Sequence, residues 1–389
     1  MHQNKENETK NADFIMAGIY IHIPFCKSRC IYCGFYSTTF LDMRKEYVSA
    51  VCREMELRKD YIREQFSTIY FGGGTPSLLD ENDIDKLFLY INKVYNVDSN
   101  AEITMECNPD DITPEFADMI SRLPINRVSM GAQTFSDKRL SLLHRRHNAG
   151  EVRNAVTLLR KAGIRNISID LMFGFPDENL IQWKEDISAA LALNVEHISA
   201  YSLMYEEGTK LWKMREQGKI EEIDDELSLK MYDELVNSLT KAGYEHYEIS
   251  NFAKSGFRSH HNSSYWHQVP YIGLGAAAHS FDIKSRQWNV DDIRQYIKNI
   301  SCGIVPMERE ILDKDTIMND IITTALRTRE GIDLERLETM LGHEYRARLI
   351  KNAKKHIEEG LLELKDERLK LTKKGIYISD MVMSDIMLV

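Results

Sequence analysis

Cys26-Lys27-Ser28-Arg29-Cys30-Ile31-Tyr32-Cys33 follows directly on the apolar run Ile19-Tyr20-Ile21-His22-Ile23-Pro24-Phe25. Iron–sulfur cubanes are held by cysteine thiolates, normally four to a cluster. This run supplies three, and Phe35 stands two residues beyond the last. A cubane on three thiolates keeps one iron open, and an open position lets a metal take an exchangeable partner. A structural zinc site would show a second ligand pair of similar spacing, and none follows. A disulfide framework needs an oxidising compartment and paired cysteines. Cys52, Cys107 and Cys302 are scattered and read as small buried apolar side chains. Cys26, Cys30 and Cys33 are therefore the candidate ligands of a 4Fe-4S cluster.

The chain has 389 residues, enough for one large barrel and a smaller domain. Its formal net charge of -10 argues against a phosphate-binding surface and so against nucleic acid as a partner. No apolar stretch reaches the length of a membrane span. Residues 1–11 are polar, without the apolar centre of a signal peptide, and residues 1–16 read as a disordered tail. Met16 is a second candidate start. Closely spaced free thiols without an export signal place the expected compartment in the cytoplasm.

Short β-rich runs at 19–23, 68–71, 102–105, 127–130, 167–172 and 197–202 alternate with amphipathic segments at 44–63, 83–94, 114–121, 151–162 and 180–193. Asp80 and Thr113 are expected helix caps, and Gly163 an expected stop. Strand alternating with helix implies a parallel sheet covered by helices. Six units predict a partial (β/α)6 barrel over 17–205, with chemistry at the carboxyl ends of its strands. Those ends carry the cysteines, Gly72-Gly73-Gly74-Thr75-Pro76, Glu106-Cys107-Asn108-Pro109, Gly131-Ala132-Gln133 and Gly174-Phe175-Pro176. The glycines are expected to let backbone approach a ligand. Over 206–306 the barrel pattern fades into an extension: a helix at 225–241, a strand at 244–249 and a loop rich in His, Ser and aromatics. Residues 307–389 read as three helices and a hairpin, a mostly helical, winged-helix-like domain. Its acidic and basic residues balance, which favours a structural cap over a DNA reader.

The C-x3-C-x2-C spacing, with Tyr32 just before the last cysteine, resembles the signature of the radical S-adenosylmethionine (SAM) superfamily. Tyr20 to Cys26, Gly72 to Pro76, Glu106 to Pro109, Ser129 to Gln133 and Asp170 to Pro176 resemble the HemN/HemW group within it. That resemblance implies a radical SAM barrel with SAM on the open iron. By position it implies a first SAM site at Tyr20, Gly73 and Glu106. A second would fall at Tyr32, Gly74, Thr75, Gln133, Arg145 and Asp170, while Met204 departs from the pattern. HemN, the oxygen-independent coproporphyrinogen dehydrogenase, has a further cysteine where this chain has Phe35, and a longer N-terminal extension. In both respects the chain looks instead like the HemW haem chaperones. His261-Asn262-Ser263-Ser264-Tyr265-Trp266 matches their H-N-x-x-Y-W haem motif. Imidazole is a standard axial ligand of haem iron, so His261 is the candidate haem ligand, with His260, His267 and His279 as rivals. His22, on a buried strand, is expected to be structural.

The function implied is that of a haem chaperone with a three-cysteine 4Fe-4S cluster and exchangeable SAM, passing haem to an acceptor protein. An electron donor for the cluster is an expected partner, and a homodimer and transient membrane association are compatible with it. Coproporphyrinogen dehydrogenase activity is not expected, and no catalytic residue is assigned. The alternative is the oxygen-independent coproporphyrinogen III dehydrogenase reaction, which would use both SAM positions.

Overall fold

The computed structural model describes residues 16–388, so the expected tail at 1–16 lies, except for Met16, outside the described residues. Six parallel strands run side by side in chain order: β1 (Ala17–Ile23), β2 (Phe66–Gly73), β3 (Val97–Cys107), β4 (Arg127–Gln133), β5 (Asn166–Phe173) and β6 (His197–Ser202). Between them lie the helices Arg44–Leu57, Glu81–Val94, Pro114–Arg122, Ala149–Lys161 and Leu180–Ala192. Asp80 and Thr113 cap their helices through the backbone N–H groups of Asp83 and Phe116. Gly163, at φ +90°, follows the helix that ends at Lys161.

Alternate residues of each strand face opposite sides. Ile69, Phe71, Val128, Met130, Ile167, Ile169 and Ile198 point outward into one apolar core shared with the helices. Trp183 is part of it, fully buried, and its indole N–H donates to the carbonyl of Met231 at 2.9 Å. The opposite face is polar: Thr68 and Tyr70, Glu102, Thr104 and Glu106, Arg127 and Ser129, Ser168 and Asp170, His197 and Ser199. The inside of the barrel is thus a channel of donors and acceptors.

Residues past 205 extend both edges of this same sheet. β7 (Glu245–Glu248) and β8 (Asn251–Ala253) add antiparallel beyond β6. β9 (Tyr271–Leu274) pairs parallel with β1, and β10 (His279–Phe281), β11 (Ser285–Asn289) and β12 (Met307–Ile311) follow antiparallel. These short strands carry little periodic pattern, which is why the sequence there reads as a fading barrel. A buried ion pair fastens the extension: Arg58 lies 3.0 Å from Glu54 and donates to the carbonyl of Gly273 at 2.7 Å. Glu54 also accepts from Gly275 N at 2.8 Å, Tyr296 Oη at 2.5 Å and Asn289 Nδ2 at 2.7 Å. Removing one member of so dry a network would strand a buried charge, at a cost of about 3–5 kcal/mol.

The C-terminal part has its own apolar core. Helices Lys314–Ala325, Leu334–Leu341 and His343–Glu358 pack with a small antiparallel sheet of β13 (Ile332–Asp333), β14 (Leu362–Lys365) and β15 (Arg368–Leu371). A last helix, Ser379–Ile386, follows, which the sequence did not reveal. This unit is clasped to the barrel by Lys373 and Tyr377 on Asp233, Arg258 on Glu330, and Gln268 on Thr324. No described helix is long and apolar enough to cross a membrane.

Candidate functional site

The three cysteines lie on the loop after β1, each partly exposed, against the carboxyl ends of β2 to β4. The Cys26 backbone N–H donates to the Thr38 carbonyl at 2.9 Å, and Cys26 Sγ is 3.5 Å from Thr75 Oγ1. Cys30 Sγ lies 3.6 Å from Arg145 Nη1. Among the described residues no three His, Cys, Asp or Glu side chains converge on a single ion. A cubane takes one thiolate per iron at separate corners, and three thiols on one loop supply the donor chemistry it needs. A cavity of about 390 Å³ opens beside Cys30 and Cys33, lined also by Arg29, His144, Glu207 and Lys210. Phe35 is 72% exposed next to it. Of the remaining cysteines Cys52 and Cys107 are buried as expected, but Cys302 is exposed, at the end of a helix the sequence did not signal.

Arg145 ties the loop ends together. Its Nη2 donates to the Gly131 carbonyl at 2.6 Å and to Asn108 Oδ1 at 2.9 Å, while its buried Nε has no protein partner. Asn108 Nδ2 in turn donates to Thr75 Oγ1 at 3.2 Å. Gln133 sits at φ +65°, where the β4–β5 register slips, and its amide fills the space beside Gly131. Such left-handed backbone at a non-glycine residue costs of order 1–3 kcal/mol and collects at functional sites. Asp170, opposite Gly131, has its carboxyl pushed up to about 6 by burial, against the pull of Arg127 and Ser199. Burial also raises the Tyr32 phenol beside the cysteines.

The triple glycine is tight for a reason the sequence did not show. A Cβ on Gly74 would lie 2.7 Å from the Pro24 carbonyl carbon and 2.8 Å from the Phe25 oxygen. Gly73, at φ +109°, would press a Cβ onto the His22 ring at 2.6 Å. These glycines let the end of β2 lie flush against the cluster loop itself. Gly73 N donates to Glu106 Oε2 at 3.2 Å, and Tyr70 Oη to Glu106 Oε1 at 2.8 Å. Crowding by protein pushes the Glu106 carboxyl up to about 7. Tyr20 donates to His22 Nδ1 at 3.1 Å, because His22 Nε2 already donates to the Tyr36 carbonyl at 3.0 Å. His22 is buried and lowered to about 4 by that burial. Tyr20, Gly73 and Glu106 form one group, and Gly74, Thr75, Gln133, Arg145 and Asp170 lie around it with the cysteines.

His261 departs from the sequence reading. The expected loop is the helix His260–Trp266, capped by Ser259 and by Glu102, which accepts from the backbone N–H groups of His260 and His261 at 3.1 and 3.0 Å. The imidazole enters the far end of the barrel, where it is 1% exposed. Its Nδ1 meets Thr68 Oγ1 at 2.7 Å and its Nε2 meets Tyr265 Oη at 2.9 Å. It stacks on Tyr70 with ring centroids 4.9 Å apart, and burial lowers it to about 3. In this conformation neither nitrogen is free for iron. The rivals His260, His267 and His279 are exposed. The helix Lys314–Ala325 packs on this segment, and Arg327 lies over the Trp266 ring at 5.4 Å.

Tyr70, Arg127 and Ser199 belong to the site and were not among the expected residues. Their signal is polar residues at every second position of strands in a parallel sheet, where apolar runs are usual.

A parallel barrel with three cysteines on the loop after its first strand defines a radical SAM protein. Residues 20–190 match the Radical SAM superfamily, and residues 312–378 the HemN C-terminal domain. Coproporphyrinogen III oxidase (HemN) from Escherichia coli, a radical SAM enzyme, shares the fold with a TM-score of 0.83 at 20% identity, over 96% of this chain and 91% of that one. The chain is 33% identical to the heme chaperone HemW of Bacillus subtilis, over 94% of this chain and 98% of that protein. With HemW of Lactococcus lactis it shares 30% over 95% and 97%. The chain belongs to the HemW family.

Proposed function

We propose that this protein is a haem chaperone, binding haem and handing it to an acceptor protein. The observation that carries this reading is relatedness to heme chaperones along nearly the full length of both chains. Phe35 supports it, standing where the dehydrogenase pattern has a further cysteine, as does the His261 motif. Cys26, Cys30 and Cys33 would hold a 4Fe-4S cluster, with Tyr20, Gly73 and Glu106 receiving SAM. Tyr32, Gly74, Thr75, Gln133, Arg145 and Asp170 would line the second position. When bound, the cluster supplies a one-electron source beside SAM. Glu106 would accept from the ribose hydroxyls or the amino group of SAM, and Arg145 would hold the cluster loop against β4. We assign the barrel to 17–205, its extension to 206–306 and the docked cap to 307–389, and we place the protein in the cytoplasm.

His261 would ligate haem iron only after its helix swings out of the barrel, giving up Thr68 and Tyr265. The test is titration of purified protein with haem, reading the Soret band. Saturable binding that His261→Ala weakens at least tenfold is expected. Absence of a saturable shift rejects the reading. A second reading, coproporphyrinogen III decarboxylation, draws support from the convergence of the second-position residues on the cluster loop. Product formed at enzymatic rates by anaerobic, reduced, SAM-supplied protein would displace the chaperone reading.

A further inference from the structure

Thr68, Tyr70 and Gly72 alternate on the inner face of β2, and between them they touch both ends of the barrel. At the cluster end the Tyr70 hydroxyl donates to Glu106 Oε1 at 2.8 Å. At the other end its ring lies on His261, the planes 21° apart and the centroids 4.9 Å apart. Thr68 holds His261 Nδ1 at 2.7 Å. Tyr20 stacks across both rings, 6.1 Å from Tyr70 and 6.4 Å from His261. One phenol therefore bridges the carboxylate assigned to SAM and the imidazole assigned to haem.

We infer that Tyr70 is a positioning residue shared by Glu106 and His261, through which SAM in the barrel and haem on His261 oppose each other's binding. The inference rests on the haem-chaperone reading above and gives that site its regulation. SAM is a sulfonium and carries an ammonium group, so its presence beside Glu106 holds the carboxylate ionised. A hydroxyl bonds a charged acceptor about twice as strongly as a neutral one. Tyr70 is then pinned where its ring seats His261, and the imidazole stays inside the barrel with both nitrogens occupied. Haem needs the opposite state, with His261 withdrawn and the stack broken. Withdrawal leaves Tyr70 free to turn from Glu106, and the SAM position loosens. Linkage requires that each ligand weaken the other by the same factor.

The experiment titrates cluster-reconstituted full-length protein with haem, with and without saturating SAM, and titrates SAM with and without saturating haem. In the wild type, SAM is expected to raise the haem dissociation constant by about fivefold or more, within the usual range of coupling between sites. Haem is expected to raise that of SAM by the same factor. Tyr70→Phe keeps the ring but removes the hydroxyl, so whatever its affinity for each ligand alone, the factor by which one weakens the other should fall to near one. Tyr265→Phe frees one His261 nitrogen without touching Glu106; it should tighten haem while the SAM factor persists. A wild-type haem affinity indifferent to SAM, or an unchanged factor in Tyr70→Phe, would overturn the linkage alone. Failure of the wild type to bind haem saturably would overturn the chaperone reading with it. If Tyr70→Phe does not fold, a wild-type haem affinity indifferent to SAM still overturns the linkage.

Discussion

Arg145 reaches from the turn after the short helix Asp137–Leu142 to the cluster loop, its Nη1 3.6 Å from Cys30 Sγ and its Nη2 2.6 Å from the Gly131 carbonyl. One planar group thereby links a candidate iron ligand to the barrel rim. Arg145→Leu would leave Asn108 Oδ1 and the Gly131 carbonyl without this donor, at about 1–3 kcal/mol for each buried group left unpaired. The reconstituted variant should lose iron to a chelator several-fold faster than wild type, as followed by cluster absorbance. An unchanged rate would show that Arg145 does not brace the loop.

Cys26→Ala, Cys30→Ala and Cys33→Ala should each abolish stoichiometric iron and acid-labile sulfide after anaerobic reconstitution while circular dichroism stays that of the wild type. The thiols are partly exposed on a loop and do not build the apolar core. Full iron content in any one of them would remove that cysteine from the ligand set.

Gly74→Ala should cost more than Gly163→Ala. The added methyl at 74 meets backbone of residues 24 and 25 inside 3 Å, whereas at Gly163 nothing lies within 4 Å. Gly163→Ala carries only the left-handed backbone strain, of about 1–2 kcal/mol. Thermal melts of the two variants test the order, and Gly74→Ala should also lose cluster because the loop must shift.

His197 is fully buried, its Nδ1 2.7 Å from Ser168 Oγ and its Nε2 2.7 Å from Tyr247 Oη, and burial holds it well below the usual histidine range. The unfolded chain therefore binds this proton first. Stability from this residue is complete above about pH 6.5 and falls as the pH drops, by at most about 1.4 kcal/mol per unit, until the folded form also protonates. His197→Gln should flatten the acid limb between about pH 6.5 and 4.5 in denaturant titrations. An unaltered slope would assign that limb to other groups.

Glu106→Gln keeps one of the two acceptor oxygens that serve Tyr70 and Gly73, and no longer offers a negative charge to a cationic ligand. SAM affinity should fall about tenfold or more, a loss of some 1.4 kcal/mol or greater, with iron content unchanged. Equal SAM affinity would place the ligand elsewhere.

Much of this was legible in the chain. The strand at 197–202, the helices at 225–241 and 334–341 and the caps at Asp80 and Thr113 lie where pattern and capping chemistry put them. Each depends on residues within a few positions of one another. β7 to β12 were less visible, because strands of three to five residues owe their place to a neighbour already in the sheet. The His260–Trp266 helix was hidden for a related reason: its N-terminus is held by Glu102, 158 residues away in the chain.

Cysteine spacing, glycine runs and the strand–helix rhythm by themselves determined the class of barrel and which loop carries the thiols, since both follow from local covalent and periodic constraints. Only the tertiary structure decided that the face of β2 bearing Tyr70 joins Glu106 to His261, and that His261 is sealed in the barrel. Strand register and helix docking bring those groups together, and they are set by packing between segments far apart in the chain.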